Sequence, residues 1–271
     1  MPELPEVETY VRELRPLLVG RRITGVTAHW PRTISGLEVD EFQQRLSGQT
    51  IIDLSRRGKY LVFHLSGGDY LLLHLKMSGR LHITPVIAPS DRHAHTVFDL
   101  ERGEQLRFHD PRKFGRVYLV DDPEVVVGPL GPEPLAEDFT LAILDRLLDR
   151  RKGRLKPLLL NQTFLAGLGN IYVDEALHTA GLHPLRSAQS LSPDERQRLY
   201  DAIRLVLVRG IEARGTTFVD ANPFLRTSGE PGWYQPQVYG RKDEPCPVCG
   251  TPIARILVGQ RGTHLCPQCQ H

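Results

Sequence analysis

Apolar residues recur through positions 3–19 as Val7, Tyr10, Val11, Leu14, Leu17 and Leu18, the spacing of an amphipathic helix. From 22 to about 120 the pattern shortens into strand-like runs. LVFHL, SGGD and YLLLHL in succession predict a hairpin, and VFDL, ERGE and QLRFHD predict another. Repeated short strands of this kind predict a two-sheet sandwich or flattened barrel. Beyond the proline- and glycine-rich GPLGPEPL at 128–135 the texture turns helical. DFTLAILDRLLDR, NIYVDEALHTAG and SPDERQRLYDAIRLVLVRGIEARG each carry helical apolar spacing. The last opens with Ser192, Pro193 and Glu195, which match an N-cap, a first-turn proline and a capping-box partner. Residues 216–236 show no period, as functional or mobile segments often do. Strands first and helices afterwards make this an α+β, multidomain chain.

Composition narrows the picture only slightly. Hydrophobic residues at 40% and charged residues at 24% are ordinary for a globular protein. Apolar runs such as LVLV at 205–208 are far shorter than the ~18 residues a membrane span needs. No positively charged segment leads into an apolar one at the start, so a cytoplasmic location is expected. The net charge of +2, from 34 Lys and Arg against 32 Asp and Glu, announces no nucleic-acid partner. The distribution says more. Arg146, Arg150, Arg151, Lys152, Arg154 and Lys156 crowd one stretch, and Arg56, Arg57 and Lys59 form a second group. Such clusters serve either as solvated faces or as holds on an anionic partner.

All four cysteines lie in the last 26 residues, as Cys246-x2-Cys249 and Cys266-x2-Cys269 with sixteen residues between the pairs. Two disulfides are one reading, suited to small secreted chains. The spacing fits better a four-thiolate zinc ribbon, and a zinc ion with four protein ligands has no open position and is structural. The opening MPELPEVET also admits two readings. Proline is tolerated in a first helical turn because the N–H it lacks has no partner there. Alternatively, Met1 is clipped and Pro2 becomes a free secondary amine.

PELPEVET, RRGKYL at 56–61, HLKMSGRL at 74–81, HDPRKFGR at 109–116, LLLNQTFLAGLGNIYVDEAL at 158–177 and GQRGTHLCPQCQ occur in that order. Together they resemble the formamidopyrimidine-DNA glycosylases, bacterial enzymes that remove oxidised purines from DNA, over residues 2–271. The resemblance implies an N-terminal catalytic β-sandwich with its helix over 1–130. A helix–two-turn–helix DNA-binding domain with a lesion-covering loop follows over 131–235, and a four-cysteine zinc finger over 236–271, with DNA in the cleft between the domains. It further implies one structural zinc, no organic cofactor, and a monomer acting on duplex DNA that carries an oxidised purine or an abasic site, in the cytoplasm at the nucleoid.

Under this resemblance the Pro2 amine attacks the deoxyribose C1′, and the resulting iminium draws electrons for β- and then δ-elimination. An α-amino pKa of roughly 7.7–8.0 leaves a useful neutral fraction near pH 7. Glu3 matches the acid/base, Glu6 a positioning residue, Lys59 the lysine that approaches the lesion, and Arg261 the arginine that grips its phosphates. Met77, Arg112 and Phe114 match the residues inserted into the duplex when the damaged nucleotide is extruded. His93, Arg151 or Lys152, Lys156 and Asn170 map to phosphate contacts, with Gly167 and Gly169 permitting a tight backbone before Asn170 at a helix start. Asn161 stands where aspartate is common and Lys76 where glycine is common. Two rivals remain on sequence grounds. The endonuclease VIII branch of the superfamily prefers oxidised pyrimidines, and a non-catalytic zinc-ribbon protein would explain the zinc and the basic clusters but not Pro2-Glu3.

Overall fold

The computed structural model describes residues 2–149, 151–216 and 226–271. Met1, Arg150 and residues 217–225 of the aperiodic stretch, where the lesion-covering loop is expected, lie outside the described residues. The chain divides into two compact units: the described residues of Met1–Pro129 and Thr217–Trp233 form one, and those of Leu130–Thr216 and Tyr234–His271 the other.

The first unit opens with helix α1 (Leu4–Leu18), whose apolar stripe of Val7, Tyr10, Leu14 and Leu18 is fully buried. Strands β1 (Ile23–Ala28) and β2 (Ile34–Ser35), helix α2 (Val39–Leu46) and strands β3 (Ile51–Arg57), β4 (Tyr60–Leu65) and β5 (Tyr70–His74) follow. Then come β6 (Arg80–Pro85), β7 (Ala94–Leu100), β8 (Glu104–His109), β9 (Arg116–Val120) and the short helix α3 (Glu124–Val127). They build two sheets, ordered β1-β7-β8-β6 and β2-β9-β5-β4-β3. All pairings are antiparallel except that of β2 with β9. Alternation sends Leu54, Leu61, Phe63, Leu71, Leu73, Val117 and Leu119 inward from one sheet, and Leu81, Phe98, Leu106 and Phe108 from the other. The stripe of α1, with Phe42 and Leu46 of α2, belongs to the same core. Both expected hairpins form, as β4–β5 and β7–β8.

The second unit contains α4 (Leu141–Asp149), α5 (Leu155–Leu160), α6 (Asn170–Ala180), α7 (Pro193–Glu212) and a hairpin of β10 (Ala254–Val258) and β11 (Arg261–Leu265). The capping box of α7 is in place: Ser192 Oγ accepts the Glu195 amide at 3.3 Å, and Glu195 Oε2 accepts the Ser192 amide at 2.8 Å. Helix α6 organises its surroundings through Glu175, which is 1% exposed. Its carboxylate accepts the amides of Gln237, Val238 and Tyr239 at 2.7, 2.9 and 3.0 Å and the Tyr234 hydroxyl at 3.1 Å. A buried carboxylate so fully hydrogen-bonded fixes the 234–239 segment against the helix.

Candidate functional site

In the first unit Pro2 is buried just ahead of α1. Glu3, the N-cap residue, and Glu6 are each 1% exposed, and Glu6 Oε2 accepts the backbone N–H of Glu3 at 2.8 Å. That bond satisfies one orphan donor of the helix start and fixes the residue next to Pro2. Glu8, two residues further along the helix, accepts from Arg56 Nε at 3.1 Å, and Arg56 in turn donates to the Gly58 carbonyl at 3.0 Å. Gly58 and Lys59 make the two-residue turn between β3 and β4, with Gly58 at φ +57. Only a residue at ease with positive φ closes so tight a hairpin. The Glu8–Arg56–Gly58 chain thus ties Lys59, 6% exposed, to the helix that begins beside Pro2.

His74, which sequence reasoning did not single out, lies opposite Tyr60 in the sheet, its ring edge-on to Tyr60 at 4.6 Å. Its Nδ1 accepts the Lys76 amide at 3.0 Å, so the proton of the neutral ring sits on Nε2. Burial, reinforced by Lys76 and Lys59, pushes this imidazole down to about 3. His74 is thus a partly buried neutral imidazole beside Lys59 and Lys76. Only its place in HLKMSG hinted at this.

Met77, Arg112 and Phe114 stand on two turns of the same unit, with Met77 and Phe114 40% and 46% exposed despite being apolar. Asp110, 2% exposed, joins the turns. It accepts the Ser78 hydroxyl at 2.5 Å, the Gly115 amide at 2.7 Å and the Arg112 amide at 3.3 Å. Glycine is required on both sides of the buried Phe108 ring. A Cβ on Gly79 would fall 2.8 Å from that ring and one on Gly115 2.3 Å from it. The Arg112 guanidinium lies over the Phe114 ring at 4.8 Å, and Lys113 lies over Trp30 at 4.1 Å. His93 is half-buried, its amide held by Asp91 at 2.9 Å and its Nε2 by Arg92 at 3.1 Å. Asp91 also binds His109.

In the second unit Arg151 and Lys152 are exposed between α4 and α5. Lys156 is placed differently from an expected phosphate contact. It is fully buried, its ammonium 2.6 Å from Asp174 and 3.2 Å from the Gly262 carbonyl. Asn170 begins α6 and donates to the same carbonyl at 3.0 Å. Asp174 also accepts the His264 amide at 2.8 Å. These residues hold the β10–β11 hairpin, on which Arg261 is exposed beside the Gly259–Gln260 turn. Before Asn170, Gly167 has φ +91, but Gly169 has φ −133, which any residue adopts. The four cysteine sulfurs lie within 4.8 Å of one another, with Cys246–Cys269 at 3.9 Å and Cys249–Cys266 at 3.4 Å.

Residues 1–117 match the formamidopyrimidine-DNA glycosylase N-terminal domain, residues 130–221 the H2TH domain of the same enzymes, and residues 243–271 the zinc finger found in FPG and IleRS. The formamidopyrimidine-DNA glycosylase of Herpetosiphon aurantiacus is 47% identical over 273 residues, covering both chains completely. The chain belongs to the formamidopyrimidine-DNA glycosylase family. Among solved structures, the MutM (Fpg) protein of Thermus thermophilus matches with a TM-score of 0.90 at 42% identity, covering 99% of this chain and 98% of that one. The Lactococcus lactis Fpg (MutM) bound to FAPY-dG-containing DNA matches with a TM-score of 0.91 at 37% identity, covering 99% and 100%.

In this formamidopyrimidine-DNA glycosylase family member the sulfur cluster fits a structural zinc. Zn–S bonds of about 2.3 Å in a tetrahedron place sulfurs roughly 3.8 Å apart, close to the spacings above. Hydrogen bonds from Thr251 push the Cys249 thiol down to about 6, toward the ligating thiolate. Burial, with the neighbouring sulfurs adding to it, pushes Cys269 up, a crowding that a central cation relieves.

Two outcomes follow from this geometry. Asp110→Ala leaves the Gly115 amide and Ser78 hydroxyl without their acceptor and should cost about 1–3 kcal/mol in chemical denaturation; an unchanged midpoint would contradict the joining of the two turns. The folded-state pKa of His74 lies below its ordinary 6.5, at about 3. Its stabilising contribution is therefore complete above pH 6.5 and lost as pH falls toward 3, because the unfolded chain takes the proton first. His74→Gln should reduce the slope of stability against pH in that window, and an unaltered slope would refute the buried neutral ring.

Proposed function

We propose that this protein is a bifunctional DNA glycosylase and abasic-site lyase of base excision repair, acting on oxidised purines in duplex DNA from the N-terminal amine of Pro2. The observation that carries the residue assignment is the burial of Pro2 directly ahead of the buried Glu3, whose amide Glu6 holds at 2.8 Å. Once Met1 is removed, the neutral Pro2 nitrogen forms a bond to C1′ while the bond from C1′ to the damaged base breaks and the base leaves with a proton. The sugar ring opens to an iminium, with Glu3 protonating the ring oxygen. The positive start of α1 disfavours the protonated amine and so favours the attacking form. Loss of the C2′ proton then expels the 3′ phosphate, and a second elimination expels the 5′ phosphate, leaving a one-nucleoside gap. Water releases Pro2 from the sugar fragment.

Lys59 and Arg261 hold the phosphates around the lesion in this scheme, and Phe114, Met77 and Arg112 fill the space left by the extruded nucleotide. Phe114 wedges between base pairs, and Arg112 hydrogen-bonds the orphaned cytosine. His93, Asn170 and the Arg151–Lys152 pair contact phosphates, whereas buried Lys156 acts through the Gly262 carbonyl. The zinc, held by Cys246, Cys249, Cys266 and Cys269, keeps the hairpin of Arg261 folded. The division at residues 130 and 235, a monomeric state and a cytoplasmic site at the nucleoid belong to the same reading. No described helix is long and apolar enough to cross a membrane.

The test pairs substrate with nucleophile. Duplexes carrying 8-oxoguanine opposite cytosine should be excised and nicked far faster than duplexes carrying thymine glycol. Pro2→Gly should abolish or strongly reduce nicking while duplex binding survives. Preference for thymine glycol would overturn the purine assignment, and loss of binding in step with nicking would make Pro2 structural.

A further inference from the structure

Helix α6 turns a polar stripe toward the zinc finger. Asn170, Asp174 and His178 follow one another at intervals of four, which places them along one face. The first two are spoken for by Gly262, Lys156 and His264. His178 has a different neighbour. It is 7% exposed, and its Nε2 lies 3.5 Å from the sulfur of Cys246, itself 3% exposed. A metal-bound thiolate carries no proton, so in this contact the imidazole must be the donor.

We propose that His178 is an outer-sphere residue of the zinc centre, its Nε2–H donating a hydrogen bond to the Cys246 thiolate. The inference rests on the zinc reading of the four cysteines. Four thiolates outnumber the charge of a divalent ion, and Cys246 and Cys266 are both buried away from water that could solvate the excess. An N–H aimed at one buried sulfur stabilises its negative charge and fixes its direction toward the metal. The same bond attaches the cysteine pair at 246–249 to the helix that begins with Asn170, just as Gln270 attaches the other pair. Gln270 accepts the Cys266 amide at 2.8 Å and donates to the Leu182 carbonyl beyond the end of α6 at 2.9 Å. Metal retention and the setting of the Arg261 hairpin are thereby linked through one helix.

The experiment compares the full-length wild type, H178F and H178Q. Metal content comes first: a wild type that binds no zinc would dismiss the zinc reading itself. In the cobalt-substituted proteins, losing a hydrogen bond raises the energy of the sulfur electrons. The thiolate-to-cobalt charge-transfer band of H178F should therefore move to longer wavelength, with that of H178Q lying nearer the wild type. Zinc transfer from H178F to 4-(2-pyridylazo)resorcinol should be about 10–100-fold easier, and the amide donor of H178Q should recover part of that loss. An unmoved band in H178F, or equal zinc loss from both variants, would reduce His178 to packing and overturn the proposal. If the variants fail to fold, the wild type loaded with cadmium-113 decides. A proton on His178 Nε2 showing scalar coupling to the metal through Cys246 is expected, and a missing coupling refutes the bond.

Discussion

A chain terminus is the part of a protein with the most freedom, and a nucleophile placed there works only if that freedom is removed. For Pro2, the proposed nucleophile, the hydrogen bond from the Glu3 amide to Glu6 does so. It caps α1, places the buried Glu3 and leaves Pro2 with little room to fray. The apolar stripe of α1 anchors the helix in the core of the sandwich, and Glu8 reaches from it to the Arg56 that shapes the Lys59 turn. Pro2, Glu3 and Lys59, the proposed nucleophile, acid/base and phosphate-holding lysine, are consequently set by one helix rather than by three independent loops.

Elsewhere the structure relies repeatedly on buried carboxylates. Asp110 gathers two amides and a hydroxyl from the turns that carry Met77, Arg112 and Phe114. Glu175 gathers three amides and a phenol from residues 234–239, and Asp174 joins Lys156 to the zinc hairpin. A carboxylate is acceptor-only with about four lone-pair sites, so one side chain can satisfy several donors from separate segments. That economy suits irregular segments which lack a ladder of their own. It also makes the single acceptor costly to remove, because each donor it served is then buried without a partner.

What could be read in advance was what depends on neighbours in sequence. The apolar period of α1, the β4–β5 and β7–β8 hairpins, the Ser192–Glu195 box and the paired cysteines are local patterns, and each signals its own structure. The parallel pairing of β2 with β9 escaped notice because the two-residue β2 has no period to detect. Asp110 and Ser78, 32 positions apart, meet only once β6 has paired with the non-consecutive β8, and the donors of Glu175 lie still further along the chain. Lys156 shows the opposite failure. Within a basic run it looked like a surface cation, whereas Asp174, on another helix, draws it into the interior. Its charge was legible, but the partner that buries that charge was not.

Attack by the Pro2 amine on C1′ leaves an iminium that borohydride reduces to a permanent crosslink. The processed protein is incubated with a duplex containing 8-oxoguanine opposite cytosine, reduced, digested and mapped by peptide mass. A covalent adduct on Pro2 with Met1 absent is the expected result. A crosslink mapped to a lysine, or none on this duplex or an abasic one with folded, processed protein, would contradict it.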